Sequence, residues 1–410
     1  MNITYTSIPG GVCAAKGFKA YGLHAGFRKN TAKLDLAMVL ADKTCNAAGV
    51  FTKNKVFAAP VGVTRAHLAG GKARVVICNS GNANACTPDG YDTANASCKA
   101  VAELVGCAEE EVIVASTGVI GQTLPTEPLF SALPTLFEKV EASAEAADLA
   151  ANAIMTTDTK KKEFALSYEF DGKTIHLGGM CKGSGMIHPN MGTMLGFITT
   201  DCAIASDLLQ KALSTAIEDT FNMVSVDGDT STNDTLCIMA SGCADNEEIG
   251  AANVAYNAFY GALHLLCTQM ASAIAADGEG ATKFLRCHVT GADTLENARI
   301  LAKSVICSSL VKTAMFGADA NWGRVICALG YAGVAFDTTK VDISFTSPAG
   351  KIDVCQNGAQ LPFDEDVAKK ILLEKEIVIE CVLHEGDCEA TALGCDLSYE
   401  YVHINGDYRS

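Results

Sequence analysis

The sequence has little of several residue types, and each shortage excludes a class of protein. Only one of its 410 residues is tryptophan, only 9 are proline, and aromatic residues make up 7%. With 49% apolar residues and so little proline, the chain cannot be collagen-like or disordered. No apolar run reaches the roughly 20 residues that span a membrane. We therefore expect a globular chain, long enough for two or three domains.

Positive charge is also scarce. Lysine and arginine together number 31 against 47 acidic residues, which gives a formal net charge of −16. A surface with this balance repels phosphate backbones and anionic lipids. We expect neither nucleic acid nor a membrane as a partner.

Cysteine is plentiful, but its spacing lacks the patterns of metal and redox sites. None of the 18 cysteines forms a C-x-x-C pair, and the eight histidines include no H-E-x-x-H motif. The first twelve residues lack the basic region and apolar stretch of a signal peptide. We expect a reduced, cytoplasmic enzyme with mostly buried free thiols and no metal.

Hydrophobic periodicity predicts a mixed α/β chain. Asp171-Gly172, between alternating residues at 166–177, is a strong signal for a hairpin turn. The other predicted strands include 34–40, 49–52, 73–78, 112–115 and 283–290. The predicted helices are 91–105, two within 125–151, 206–220, 253–276 and 294–317.

Three polar or glycine-rich segments follow predicted strands. The asparagine-rich segment 79–85 fits a capped turn as well as it fits a ligand site. At Thr117-Gly118, a hydroxyl and a backbone N–H could face a developing oxyanion. The glycine-rich segment 178–192 has neither of the phosphate-binding glycine patterns, so we read it as a loop that leads into a buried strand.

The junction between Gly192 and Thr193 is the sharpest local feature. If the peptide bond before Thr193 were cut, that residue would carry a hydroxyl nucleophile and a free α-amine. An α-amine with a pKa of about 7.7–8.0 suits a general base near neutral pH. Glycine followed by threonine at a strand start is also an ordinary structural feature, and this pattern alone leaves both readings open.

Read together, seven segments resemble the bifunctional glutamate N-acetyltransferase / ornithine acetyltransferase family of arginine biosynthesis. The resemblance runs nearly from end to end. The segments are GVFTKN at 49–54, NSGNANA at 79–85, ASTGVIG at 115–121, IMTTDT at 154–159, GTML at 192–195, FNMVSVDGDTSTND at 221–234 and GADANWGR at 317–324.

The resemblance implies an α/β fold, a layered helix-sheet-sheet-helix sandwich of N-terminal-nucleophile type with a second, smaller domain. It also implies self-cleavage between Gly192 and Thr193. Residues 1–192 would then form an α fragment that contains the main α/β domain. Residues 193–410 would form a β fragment that completes the core and supplies the smaller domain, and two copies of each fragment would assemble as a heterotetramer.

The implied reaction moves an acetyl group from N-acetyl-L-ornithine to L-glutamate through an acetyl-threonine ester on Thr193. Thr117 and Gly118 take the family's oxyanion-hole positions. No cofactor is implied, and acetyl-CoA is open as a second donor. The implied substrate-binding residues are Thr156, Lys182, Thr193, Glu279, Asn405 and Ser410.

The sequence leaves two alternative functions open, and it departs from the family's usual pattern at one position. An N-terminal-nucleophile aminopeptidase or amidase would release the acyl group to water, and an uncleaved amino-acid-binding protein would not turn over. Gly192 stands where the family more often has alanine, which leaves the rate of cleavage open. Cys181 lies beside Lys182 and Cys202 lies near the strand that begins at Thr193, and we expect them only to pack or to line the site.

Overall fold

The computed structural model describes residues 3–188 and 194–407. Its strands are β1 (Thr6–Ser7), β2 (Phe18–Leu23), β3 (Leu36–Phe51), β4 (Lys72–Asn82), β5 (Val112–Val119), β6 (Lys162–Phe170), β7 (Lys173–Lys182), β8 (Leu195–Thr200), β9 (Val224–Ser225), β10 (Thr235–Ala240), β11 (Phe284–Ala292), β12 (Asp342–Ser347), β13 (Gly350–Gln356), β14 (Ala359–Gln360), β15 (Glu376–Val382) and β16 (Cys388–Cys395). Its α-helices are α1 (Ala59–His67), α2 (Gly90–Val105), α3 (Glu127–Lys139), α4 (Ala144–Ala153), α5 (Ser206–Ala216), α6 (Val254–Ala276), α7 (Leu295–Cys307), α8 (Ser309–Phe316), α9 (Trp322–Gly330), α10 (Glu365–Leu372) and α11 (Tyr399–Gly406).

The long strand β3 folds the larger sheet into two layers. That sheet has nine strands in the order β1-β6-β7-β8-β10-β3-β4-β5, with β2 also paired to β3. The first half of β3 pairs with β2, the second half pairs with β10, and its register with β4 shifts between Leu40 and Cys45. One strand therefore belongs to both layers.

Alternating side chains show how the two layers pack. On β4, Val76 and Cys78 lie in one buried cluster with Phe197 of β8 and Met239 of β10. Their neighbour Ile77 points the other way, into a cluster with side chains of α2 and α3. Because successive side chains of a strand point to opposite faces, this split separates a sheet–sheet core from a helix–sheet core.

A second layer of helices completes the sandwich. On the outer face of β8 and β10, Ile198 and Ile238 pack with α5 and α6. Within the described residues, α6 alone is long and apolar enough by composition to cross a membrane. Its side chains, among them Phe259, Leu263 and Met270, are buried in this core, which makes it a core helix here. The layers run helix, sheet, sheet, helix, as expected.

The second, smaller domain consists mainly of residues after α6, and its short strand β9 comes earlier in the chain, before β10. Its seven strands have the order β14-β13-β12-β15-β11-β16-β9, and α7 to α10 supply the helical side of its core. Phe284 and Leu393 of this sheet also belong to the core of α5 and α6, so the two domains are packed together.

Three sequence expectations need correction. The strands expected at 34–40 and 49–52 are one continuous strand, β3. The helix expected at 294–317 breaks at Ser308, whose hydroxyl accepts from Val311 N and caps α8. Gly178 and its successor lie inside β7 rather than in a loop. A Cβ on Gly178 would lie 1.8 Å from the carbonyl oxygen of Gly11, so this strand position has no room for a side chain.

Packing between the two sheets should contribute much of the stability of the larger domain. Phe197 is 2% exposed, and we expect Phe197→Ala to lower the free energy of unfolding by about 3–5 kcal/mol, because it leaves a cavity between two rigid sheets. Chemical denaturation measures this change. The same truncation at Phe130, exposed on α3, should cost less than about 1 kcal/mol. Equal losses in the two variants would contradict this packing arrangement.

Candidate active site

Six of the residues that the resemblance implies line one cavity of about 310 Å³. They come from the ends of five separate segments, and they are Thr117, Gly118, Thr156, Lys182, Glu279 and Asn405. Gly192, Thr193 and Ser410 lie outside the described residues. Residues 118 and 405 are far apart in sequence, so the cavity exists only in the folded chain.

Gly118, the last residue but one of β5, has a conformation that only glycine adopts readily. Its φ is +139°, and a Cβ there would lie 2.3 Å from the backbone carbon of Gly81. The nearby asparagine segment supports this close approach. Asn79 donates to the carbonyl of Asn82 at 3.0 Å and accepts from Ser116 Oγ at 2.6 Å. These contacts favour the capped-turn reading of residues 79–85.

Lys182 is a buried residue at the end of β7. Only 9% of it is exposed, and its Nζ donates to Thr117 Oγ1 at 3.2 Å. Burial lowers the pKa of its ammonium, and the nearby Asp158 opposes this shift only in part. Lys182 is therefore not a solvated surface lysine. Its ammonium lies beside the Thr117 hydroxyl, which is expected at an oxyanion hole.

Glu279 and Asn405 form the acidic part of the cavity wall. Asn405 Nδ2 donates to Glu279 Oε2 at 2.8 Å, which places α11 over the cavity. Glu279 N donates to Ser184 O at 2.9 Å. A Cβ on Gly185 would lie 2.3 Å from the Glu279 carboxylate, so the glycine lets the loop after β7 approach this acid closely. Glu279 is thus a buried wall residue, in contrast to a surface acid at a helix end.

A buried ion triad supports this wall. Lys162 Nζ lies 2.6 Å from Asp158 Oδ1 and 2.6 Å from Asp277 Oδ2. The Asp158 carboxylate also accepts from Gly183 N at 2.7 Å and from Thr156 N at 3.0 Å. The triad therefore orients the residues directly beside Lys182 and Glu279.

Lys162 and Asp158 keep their charges despite burial. Burial alone would raise the pKa of Asp158, but the charge of Lys162, then that of Lys182 and the hydrogen bonds, lower it to about 2. Burial likewise disfavours the ammonium of Lys162, and the two carboxylates outweigh it and raise the pKa. Sequence reasoning missed the triad, although Asp158 lies in the quoted segment 154–159; nothing distinguishes Lys162 from its neighbouring lysines.

Besides the triad, the sequence analysis did not identify Asn233. Its Nδ2 donates to Ala83 O at 2.7 Å and to Ser116 O at 2.8 Å. It thereby fastens the polar segment 231–233, another part of the cavity wall, to the end of β5.

Cys181, beside Lys182 on β7, and Cys202, which follows the end of β8 away from Met194, are packing residues. Cys181 and Cys202 are buried, and burial raises the pKa of each thiol to about 12. A thiol that stays protonated at neutral pH is a poor nucleophile. All 18 cysteines are free, and 11 of them are buried, as the composition predicts for a reduced chain.

Removing the central cation of the triad should destabilise the fold. We expect Lys162→Met to cost about 3–5 kcal/mol at pH 7, because it leaves two buried carboxylates without a partner. In the wild type, Asp158 stabilises the folded state above its unfolded pKa of 3.8, and this contribution is lost as the pH falls toward 2. In the Lys162→Met variant, burial should instead raise the pKa of Asp158. The difference in the free energy of unfolding between the wild type and the variant should therefore narrow as the pH falls from 7 to 4.

Denaturation curves at several pH values test this expectation. Lys161→Met is the matched control, because Lys161 is the exposed neighbour that pairs with Asp148 at the surface. Its cost should stay below about 1 kcal/mol. A gap between the Lys162 variant and the wild type that did not depend on pH would contradict the assigned charges.

Comparison with known proteins shows which family the chain resembles. The ArgJ family model matches residues 19–410. The arginine biosynthesis bifunctional protein ArgJ 1 of Clostridium acetobutylicum is 48% identical over 96% of this chain and 96% of its own length. The ArgJ protein of Caldanaerobacter subterraneus is 46% identical over 96% of this chain and 97% of its own.

A solved structure agrees with these relatives. The crystal structure of the arginine biosynthesis bifunctional protein ArgJ from Bacillus halodurans is 45% identical, covers 52% of this chain and 98% of that chain, and aligns with a TM-score of 0.50. The family model spans most of this chain, and the relatives match it over nearly their full lengths. The chain belongs to the ArgJ family of arginine biosynthesis proteins.

Proposed function

We propose that this protein is an ornithine acetyltransferase that moves the acetyl group of N-acetyl-L-ornithine to L-glutamate. The observation that carries the proposal is a single cavity that combines Thr117 and Gly118 with a buried cation, Lys182, and a buried acid, Glu279. Hydroxyl and N–H donors suit a tetrahedral oxyanion, and the two opposite charges suit a substrate that carries both a carboxylate and an ammonium group.

The chemistry is two displacements at the acetyl carbon. The Thr193 hydroxyl oxygen attacks this carbon and its proton passes to the α-amine of the same residue. The bond from the carbon to the ornithine nitrogen then breaks, and the proton leaves with ornithine. The glutamate amine attacks the resulting ester and restores the hydroxyl. Thr117 Oγ1 and Gly118 N–H would stabilise the oxyanion in both steps.

Substrate orientation follows from the charges. Lys182 contacts Thr117, so its ammonium suits the α-carboxylate that lies beside the reacting amide. The α-nitrogen of N-acetylornithine is acylated, and its only ammonium is on the side chain. Glu279 and Asn405 would therefore receive that side chain.

The chain must be cut to free the α-amine of Thr193, and the fold suits two fragments that stay together. Strands β8 and β10 follow residue 193, yet they lie between β7 and β3 of the preceding part. Fragments 1–192 and 193–410 would thus share one sheet. Two copies of each would form the heterotetramer, in the cytoplasm and without nucleic acid, membrane, metal or cofactor.

Mass spectrometry under denaturing conditions tests maturation. We expect two species of about 20 and 23 kDa from the 42.8 kDa chain, in proportion to fragment length, with the heavier one beginning at Thr193. Thr193→Ala should give one uncut chain without transferase activity, because the nucleophile is lost. An active, fully processed Thr193→Ala variant would overturn the proposed nucleophile, and an uncut wild type that binds but does not turn over would favour an amino-acid-binding protein.

The two half-reactions test the role of Glu279. Glu279→Gln should raise the KM for N-acetylornithine about tenfold or more and the KM for glutamate much less, because only the donor carries a side-chain ammonium. Glu400→Gln, an exposed acid on α11, is the matched control and should change neither value. Equal effects on both substrates would contradict this orientation.

The same assay separates transfer from hydrolysis. Without glutamate, the transferase should release no more than one equivalent of ornithine, whereas an amidase would continue to turn over. Replacing N-acetylornithine with acetyl-CoA in the complete assay determines whether the thioester is a second donor.

A further inference from the structure

Met186 lies in the wall of the substrate cavity, and the transfer described above gives it no role. It is 42% exposed, whereas Ser184 and Ile187, close to it in the chain, are buried. Single exposed apolar residues are common on protein surfaces, so exposure alone assigns no function. Its place in a concave wall and its backbone conformation distinguish Met186 from the other exposed apolar residues.

The backbone of Met186 has a left-handed conformation. Its φ is +55°, in a region that glycine adopts readily and that is uncommon for a residue with a long side chain. Such strain persists only where the surroundings fix it, and it is concentrated at binding and catalytic sites. The chain thus has a methionine at a position where the backbone favours a glycine.

The carboxylate of Asp227 fixes this conformation. Its Oδ2 accepts from Met186 N at 2.7 Å, and its Oδ1 accepts from Ile187 N at 2.9 Å. Ile187 O in turn accepts from Val226 N at 2.7 Å. Because two successive N–H groups bind one carboxylate, the backbone of Met186 has little freedom, and its side chain stays at the cavity wall.

Met186 lies near both charged ends of the cavity. It also lines an adjoining space of about 20 Å³ together with Thr117 and Lys182, at the end assigned to the α-carboxylate. At the other end, its chain neighbour Gly185 closely approaches the Glu279 carboxylate, as described above. The chain from residue 182 to residue 186 therefore follows the wall from one charged end to the other.

The part of the substrate between these two ends is apolar. In N-acetylornithine, a chain of methylene groups separates the α-carbon from the ammonium group. Burial of one methylene group against apolar surface strengthens binding about fourfold. A methionine side chain is unbranched and polarizable, so it adapts well to such a chain. An exposed methionine beside both charged ends therefore has the chemistry that this part of the substrate needs.

We propose that Met186 is a specificity-determining residue that binds the methylene chain of the substrate, and that Asp227 is the positioning residue that holds it there. Lys182 and Glu279 recognise the two charged ends, and Met186 recognises the apolar chain between them. The cavity thereby favours an amino acid with an aliphatic side chain of ornithine's length over a shorter one. This inference rests on the proposed function and deepens it.

Two neutral analogues separate the contribution of the methylene chain from that of the charges. N-acetyl-L-norvaline has the carbon skeleton of N-acetylornithine without the ammonium group, and N-acetyl-L-alanine has a shorter side chain. Calorimetry on the full chain measures both dissociation constants without turnover. We expect the wild type to bind the norvaline analogue about tenfold more tightly. In Met186→Gly this ratio should fall to about threefold or less, because the apolar contact is gone.

The kinetics of the same variant exclude a merely structural role. Glycine suits the left-handed backbone, so Met186→Gly should unfold at no lower temperature than the wild type. Its KM for N-acetylornithine should nevertheless rise about fivefold or more, with kcat within about twofold, because the lost contact is with the substrate chain and not with the acetyl group. Met186→Leu, which keeps an apolar side chain of similar size, should retain the wild-type ratio of dissociation constants.

Asp245→Gly is the matched control. Asp245 is exposed, also has a left-handed backbone with φ +59°, and is not among the residues that line the substrate cavity. The same relief of strain there should change neither the ratio nor the KM.

Asp227→Asn tests the positioning role. The amide nitrogen cannot accept from a backbone N–H, so the ratio of dissociation constants should fall as it does in Met186→Gly. In the Met186→Gly background, the same change should lower the ratio little further, because the side chain that it positions is already absent.

The outcomes separate this inference from the proposed function. An unchanged ratio in folded Met186→Gly would overturn the inference and leave the transferase function intact, and so would a transferring wild type that binds the two analogues equally. A wild type that shows the expected ratio but transfers no acetyl group would support the contact and overturn the transferase. A wild type that binds neither analogue and transfers nothing would overturn both proposals.

Discussion

The candidate site depends on one buried cation, Lys162, held between two aspartates. The lysine lies at the start of β6, Asp158 lies in the segment after α4, and Asp277 follows α6. Each ion is buried at a cost in hydration, and only their mutual attraction and the added backbone hydrogen bonds offset it. In the proposed reaction, the triad would support substrate binding by positioning the residues beside Lys182 and Glu279.

The two buried aspartates near the cavity, Asp158 and Asp234, have pKa values that shift in opposite directions. The charges of two nearby lysines lower the pKa of Asp158, whereas burial raises the pKa of Asp234, whose Oδ2 has no hydrogen-bond partner among the described residues. The pKa values of two aspartates of the same chain thus shift in opposite directions because of their neighbours.

The two-layered sheet explains how a cut chain could remain one enzyme. Strand β3 belongs to both layers, and β8 and β10 are enclosed between strands from the preceding part of the chain. The core between the layers includes Phe197 and Met239 from one part and Val76 and Cys78 from the other. Separation of two such fragments would expose this entire core, which the hydrophobic effect opposes. Cleavage would therefore change the chemistry of one residue without loosening the fold.

The sequence by itself determined the local elements and much of the site's composition. Alternating apolar residues predicted most strands, the Asp171-Gly172 turn predicted the β6–β7 hairpin, and hydrophobic periodicity predicted α5 and α6. The sequence also identified Thr117-Gly118 as a candidate site, because a threonine-glycine pair that follows a predicted strand can be recognised from local sequence alone. Only the tertiary structure decided that β3 is one strand, that Lys182 is buried beside Thr117 from 65 residues away, and that Lys162 meets Asp277 across 115 residues. Burial and charge pairing are properties of distant segments brought together, and a sequence pattern, which records near neighbours, carries no measure of them.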